Sequence, residues 1–557
     1  MPQLTNGWDF QPDHALLDPN DRGLEPPDNF AACLNAHGMY ETMRFVLRLS
    51  PRNHYLIDSV TTGIYSTDDI SQEALQAYAT YLHETVHWWQ HAGSTSGLLY
   101  SLSYLGQSHS SLSQLRDVVQ LGGKKPLKKW ADNALLHGTA PSSEILSAAN
   151  IAVNNAIDVE FYKQYAMLPN KAEDVVTHQN FESVGHCYYV VYGHLLGMLS
   201  DTIDPEFKAL PDMRAWEAPY ASLRNQQHIG FYHGSPVYRA RVGIHAIFEG
   251  QARFIQLQFL NRAARQSPTC QEWRDKGFLS GVYVDAFEEF LRLSKSEWPP
   301  DINHPVINLF LLICDLSINP TRGLPLDIVS FENFIEDVDV GARFTHLSSA
   351  VQAAPELRDF IRTCSRDEYA AASARLTTTC GYDHPFKALR AIGDWIEAST
   401  NLQALMLEHQ TFDFGQVNQP VRVLFSHFVA FCRDKLKRPE FFCWPGVWLT
   451  GSRANTDIQE IFLRHLSLFS DRGDKPGVYP RNWPNRNPEL VQATFDRFYG
   501  NIILYDLVRQ WILQDGPFRY EYSWLTQAVT QSELEAWANG IFSQQFGLSP
   551  AAFEILT

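Results

Sequence analysis

The sequence predicts a mainly α-helical protein with a small β-sheet, an α+β architecture. Two observations carry that expectation. Through much of the chain apolar residues recur at spacings of three and four, as at Leu75, Tyr78, Leu82, Val86 and Trp89, the stripe that a half-buried helix requires. Near the N-terminus the pattern alternates instead: Met43, Phe45, Leu47 and Leu49 stand against Arg44 and Arg48, as in a half-buried strand.

In chain order, residues 1–40 are polar and rich in Pro and Asp and read as an irregular lead-in. A strand is expected over 43–49, a turn at Ser50-Pro51-Arg52-Asn53, and a second strand over Tyr55–Val60. A helix follows over 71–92, with Ser71 as N-cap, Glu73 in its first turn, and Gly93 and Gly97 as its stop. Leu98–Leu105, Ser143–Ala166, Phe181–Leu199 and Arg239–Leu260 read as helices, and Pro169–Asn180 and Asp201–Asn225 as loops. Ala388–Leu407 and Val421–Lys437 are helical, Phe441–Trp448 is turn-rich, and Asp471–Pro488 resembles a linker. A capping box, Ser532 with Glu535, opens the last helix.

The chain has 557 residues, of which 45% are hydrophobic and 13% aromatic, the composition of a folded protein with a large core. Length alone suggests about two to four domains. A net charge of -17 argues against a general nucleic-acid binder or an anionic membrane surface. The eight cysteines are scattered with no C-x-x-C, so free thiols in a reducing compartment are expected. The first residues, Met1–Gly7, lack the basic and apolar regions of a secretion signal. No apolar run reaches the roughly 20 residues of a membrane span. A cytoplasmic location is the expectation.

One stretch names a chemistry: His83-Glu84-Thr85-Val86-His87 is an H-E-x-x-H inside a predicted helix. Residues four apart share a helix face, so both imidazoles can meet one ion while Glu84 reaches a water held by it. A catalytic zinc site usually has a third protein ligand. His91 continues the stripe, but it lies about 12 Å along the helix from His83, too far to share an ion easily. Glu249, in Phe248-Glu249-Gly250-Gln251-Ala252, and Glu160, in Ile157-Asp158-Val159-Glu160-Phe161, are the remaining candidates.

The H-E-x-x-H resembles the zincin signature, and Phe248–Arg253 is similar to the glutamate-donating helix of gluzincin metallopeptidases. That resemblance implies zinc held by His83, His87 and Glu249, with Glu84 as general base. It also implies a Tyr or His donor for the oxyanion, for which His245, Tyr238 and His233 are available. The gap of roughly 160 residues between the two stretches departs from many gluzincins and implies a large insertion. The resulting division is a lead-in and hairpin over 1–65, a zincin-like region over 66–265 with a helical insertion at 100–230, and a mainly helical region over 266–557. The expected function is a zinc metallopeptidase acting on a protein or peptide substrate, bound against an edge strand within 43–49 or 54–60. Two alternatives stand beside it: a helical scaffold with an incidental or structural metal, and a zinc hydrolase of another amide or ester.

Overall fold

Helices hold 66% of the chain and strands 4%, in the mainly helical arrangement with a small sheet that the periodicities predict. The structure, a computed structural model, describes residues 38–58, 71–264, 268–483 and 486–556.

The sheet begins with a hairpin of β1 (Gly38–Glu41) and β2 (Val46–Leu49), antiparallel with Gly38 opposite Leu49 and Glu41 opposite Val46. The strand expected from Met43 thus starts three residues later. Residues 42–45 are used to reverse the chain, with Arg44 N donating to Glu41 O at 3.1 Å and Phe45 held at φ 58°. Arg48, which the alternation assigned to solvent, is buried, paired with Glu41 and donating to the Trp524 carbonyl at 3.1 Å. The second strand expected at 55–60 is instead helical over its described part. Pro51 suits the first turn of a helix, Ser50 Oγ accepts from Asn53 N at 3.2 Å, and α1 runs Pro51–Asp58; residues 59 and 60 lie outside the described residues.

β3 (Lys124–Lys125) belongs to a separate small pair, with β6 (Glu554–Ile555). β4 (Phe469–Ser470) adds to β2 in parallel, and β5 (Tyr479–Pro480) adds to β4, giving the order β1-β2-β4-β5. The stretch read as a linker over 471–488 therefore carries a strand. β2 lies between two strands, and β1 and β5 are the edges among the described residues. Segments on both sides of residue 266 share this sheet and one contiguous apolar core running from Tyr40 to Phe553.

The helices that build the site are α2 (Gln72–Gly93), α3 (Thr95–Ser110), α4 (Ser143–Met167), α5 (Val184–Ile203), α6 (Ile244–Ala263), α7 (Val282–Ser294), α8 (Gln419–Lys437) and α9 (Pro488–Leu513). α2 starts where expected, Ser71 Oγ accepting from Ala74 N at 3.1 Å. Gly97 does not stop it. It lies in α3, where a Cβ would fall 1.8 Å from the Gln90 carbonyl oxygen, so the glycine permits the tight corner between the two helices. α6 begins at Ile244 rather than Arg239, because the chain before it crosses the end of α4 as a loop. A Cβ on Gly243 would lie 2.4 Å from the Pro169 ring.

Elsewhere, tertiary contacts redraw several boundaries. The loop expected over 201–225 contains a helix at Glu217–Asn225, and Pro169–Asn180 contains a short one at Ala172–Val176. The helix expected over 388–407 is two, Pro385–Ala398 and Thr400–Thr411, divided at Ser399, whose side chain caps the second. The turn-rich stretch 441–448 forms two short helices, Pro439–Cys443 and Pro445–Trp448. The final capping box is Thr530 with Glu533, two residues before the expected pair, and opens a helix over Gln531–Phe546. Among the described residues, no helix is long and apolar enough to cross a membrane.

Candidate metal centre

α2 and α6 lie against each other, and their facing sides carry the chemistry. Gln90, one turn beyond His87, links the two helices: its Nε2 donates to the Phe248 carbonyl and to Gln251 Oε1, both at 2.9 Å. Its Oε1 is 2.7 Å from His87 Nδ1. An acceptor there fixes the proton on Nδ1 and leaves the Nε2 lone pair free for an ion. The same side chain thus locks the helix pair and orients a ligand.

His83 Nε2 and His87 Nε2 are 3.1 Å apart, and each is 3.4 Å from Glu249 Oε2. Around a tetrahedral ion bound at about 2.0–2.1 Å, ligand atoms sit about 3.3 Å from one another. The three atoms therefore form a triangle of the size that one face of such an ion requires. Among the described residues this is the one group of three or more His, Cys, Asp or Glu side chains close enough to hold an ion. Two neutral imidazoles and one carboxylate suit zinc or another borderline divalent ion rather than calcium or magnesium.

These three side chains line a cavity of ≈ 100 Å³ together with Glu84, His91, His245, Phe248, Met167, the β1 residues Gly38, Met39 and Tyr40, and Thr42 in the turn that follows. β1 passes so close to Glu84 that a Cβ on Gly38 would lie 2.7 Å from Glu84 Cγ and 3.0 Å from Glu84 Oε1. Glu84 is thereby held between the strand and the ligands.

Charge follows from burial. Desolvation lowers the pKa of His83 to about 4. His87 is buried too, but the charges of Glu249 and Glu84 and its hydrogen bonds to Glu249 and Gln90 outweigh desolvation and raise it to about 9. Glu249, although buried, is held well below the usual carboxylate range by the two imidazoles. The raised pKa gives His87 a second proton at neutral pH, beside the Glu249 carboxylate.

The expected residues divide cleanly. His83, His87, Glu249, Glu84 and His245 meet in one cavity, with His245 Nε2 3.9 Å from Glu249 Oε1. Glu160 is elsewhere, accepting from Arg509 Nε at 2.6 Å and from the Tyr104 hydroxyl at 3.3 Å. His91 is buried beside the ligands but offers its ring to Tyr40 and Phe248, at 5.4 and 5.1 Å. Tyr238 and His233, named as oxyanion donors, do not line the cavity. The Tyr238 side chain is exposed, and its carbonyl accepts from the Tyr165 hydroxyl; His233 Nδ1 contacts the Phe181 carbonyl at 3.0 Å. Among the expected donors, His245 alone faces the ligands.

Sequence reasoning missed Gln90 and the whole of β1. For Gln90 a signal existed, since it lies three residues beyond His87 on the same helical face. For β1 there was little: Gly38-Met39-Tyr40-Glu41 is too short to show a period. Comparison of the chain with family models, with curated proteins and with solved structures finds no match to any of them.

Proposed function

We propose that this protein is a zinc-dependent metallopeptidase. The observation that carries the reading is the His83–His87–Glu249 triangle, with Glu84 at its rim and an edge strand beside it. When bound, zinc would polarise the scissile carbonyl and acidify its water. Glu84 takes the proton of the attacking water and returns it to the leaving amine. His245 donates a hydrogen bond to the oxygen on which negative charge develops. The outer edge of β1, unpaired among the described residues, would offer backbone groups to an extended peptide lying over the ligands in strand form. The scattered cysteines favour a reducing, cytoplasmic setting.

The test measures zinc and hydrolysis in the same preparations. Wild type is expected to hold one zinc per chain and to cleave members of a mixed peptide library. His87→Ala should lose the metal. Glu84→Gln should keep the metal and the fold but lose hydrolysis by several orders of magnitude. Equal zinc in wild type and His87→Ala would remove the site. Zinc without cleavage of any peptide, but with cleavage of esters or small amides, would move the activity to a different substrate class.

A further inference from the structure

Behind the turn joining β1 to β2 lies a second cavity, of ≈ 360 Å³. It shares no lining residue with the metal cavity: Met43 and Arg44 face it, whereas Tyr40 and Thr42 face the metal ligands. Its volume is that of a small-molecule site. Its body is apolar and aromatic, formed by Leu105, Ile502, Ile503, Tyr505 and Trp524.

The polar groups on its wall have capacity to spare. On α9, Asp506 and Arg509 are three residues apart, neighbours on one helical face about 5–6 Å from each other. Arg509 commits Nε to Glu160 at 2.6 Å and lies over the Tyr104 ring at 5.1 Å, and its outer nitrogens donate no hydrogen bond among the described residues. Asp506 Oδ2 accepts from the Tyr522 hydroxyl at 2.9 Å and Gln510 Nε2 at 2.8 Å, while Oδ1 receives no hydrogen bond among the described residues. Arg519 and Glu521, on the loop opposite, are exposed and form no ion pair among the described residues. With Arg44, which is paired with Glu41 and stacked over Trp524, three cations and two anions line the cavity.

A buried amine stands behind one end. Lys163 is 6% exposed; its Nζ lies 3.8 Å from the Tyr104 ring centroid and 3.1 Å from Met43 Sδ, and both of those residues line the cavity. Among the described residues no carboxylate is hydrogen-bonded to it, and burial lowers its pKa to about 7. A purely anionic ligand would meet Asp506 and Glu521, and a purely cationic one would meet the guanidinium groups. A ligand with both charges on adjacent atoms and an apolar body satisfies the whole lining.

We propose that this cavity binds a free α-amino acid with a large apolar side chain, its carboxylate on Arg509 and Arg519 and its ammonium on Asp506 and Glu521. The proposal stands apart from the metal chemistry, since it uses none of the metal-site residues. Isothermal titration of the full chain tests it with L-phenylalanine, L-leucine, glycine, N-acetyl-L-phenylalanine and L-phenylalaninamide. Phenylalanine and leucine should bind with submillimolar Kd, glycine should not, and each capped form should bind about tenfold more weakly, having lost one charged contact. Arg519→Gln and Glu521→Gln change exposed side chains, so the fold should persist. Each should weaken phenylalanine about tenfold, and Arg519→Gln should narrow the gap between phenylalanine and its amide. The proposal is overturned if neither amino acid binds up to about 10 mM. It is equally overturned if a capped form binds as tightly as the free one, or if both variants bind like wild type.

Discussion

Gly38→Ala tests whether β1 positions Glu84, the general base of the function proposed above. The added methyl would lie 2.7 Å from Glu84 Cγ, 3.0 Å from Glu84 Oε1 and 2.9 Å from Thr80 Cγ2. Carbon atoms in comfortable contact are about 3.5–4.0 Å apart. Either Glu84 or the strand must therefore move by about 1 Å. Thr80 blocks one direction of escape, and the β1–β2 register opposes movement of the strand. Overpacking of this kind costs about 1–3 kcal/mol of stability. A catalytic group displaced by about 1 Å costs on the order of 100-fold in rate. The assay is peptide hydrolysis with zinc content and thermal midpoint measured on the same sample. Retained zinc, a modest loss of Tm and a kcat reduced about 100-fold are expected. Thr80→Ser in the same chain removes only one of the contacts, so it should recover part of the stability but little of the rate. Unchanged kcat in Gly38→Ala would refute the argument that the strand positions Glu84.

Three further outcomes follow from the same geometry. Gln90→Ala removes the acceptor on His87 Nδ1 and the link to α6; zinc affinity measured by competition with a chelator should fall about 10- to 100-fold, and an unchanged affinity would mean that Gln90 is only a packing residue. Because the proton on His87 persists to about pH 9, it must leave when metal binds, so apparent zinc affinity should rise about tenfold per pH unit below that value and level off above it; flat affinity between pH 6 and 8 would contradict the proton assignment. Gly250 does not face α2: a Cβ there would lie 3.4 Å from Phe310 Cζ and 3.5 Å from Ala286 Cβ. Gly250→Ala should therefore be tolerated within about 1 kcal/mol, whereas Gly250→Leu should destabilise the chain by about 1–3 kcal/mol or more in denaturant unfolding.

The readings that held have a local cause. Helix α2, its Ser71 cap and the shared face of His83 and His87 depend on spacing and on the first turn, and both are visible over a few residues. Fold class was legible for the same reason, because the 3.6-residue period recurs in many segments. Assigning Glu249 needed more. Glu249 and Glu160 are both acidic residues on helices, and only the docking of α6 on α2 separates them: one lies 3.4 Å from each imidazole, the other beside Arg509. Strand assignment also failed where partners are distant. β2 is buried on all sides because Phe469, more than 400 residues later, pairs with Val46. Arg48 is inside because Glu41 and the Trp524 carbonyl receive it. Local sequence specifies the period and the caps of an element. Which face is buried, which edge stays open and which of two carboxylates comes to lie beside the two imidazoles are set by non-local contacts, whose free energy no short window contains.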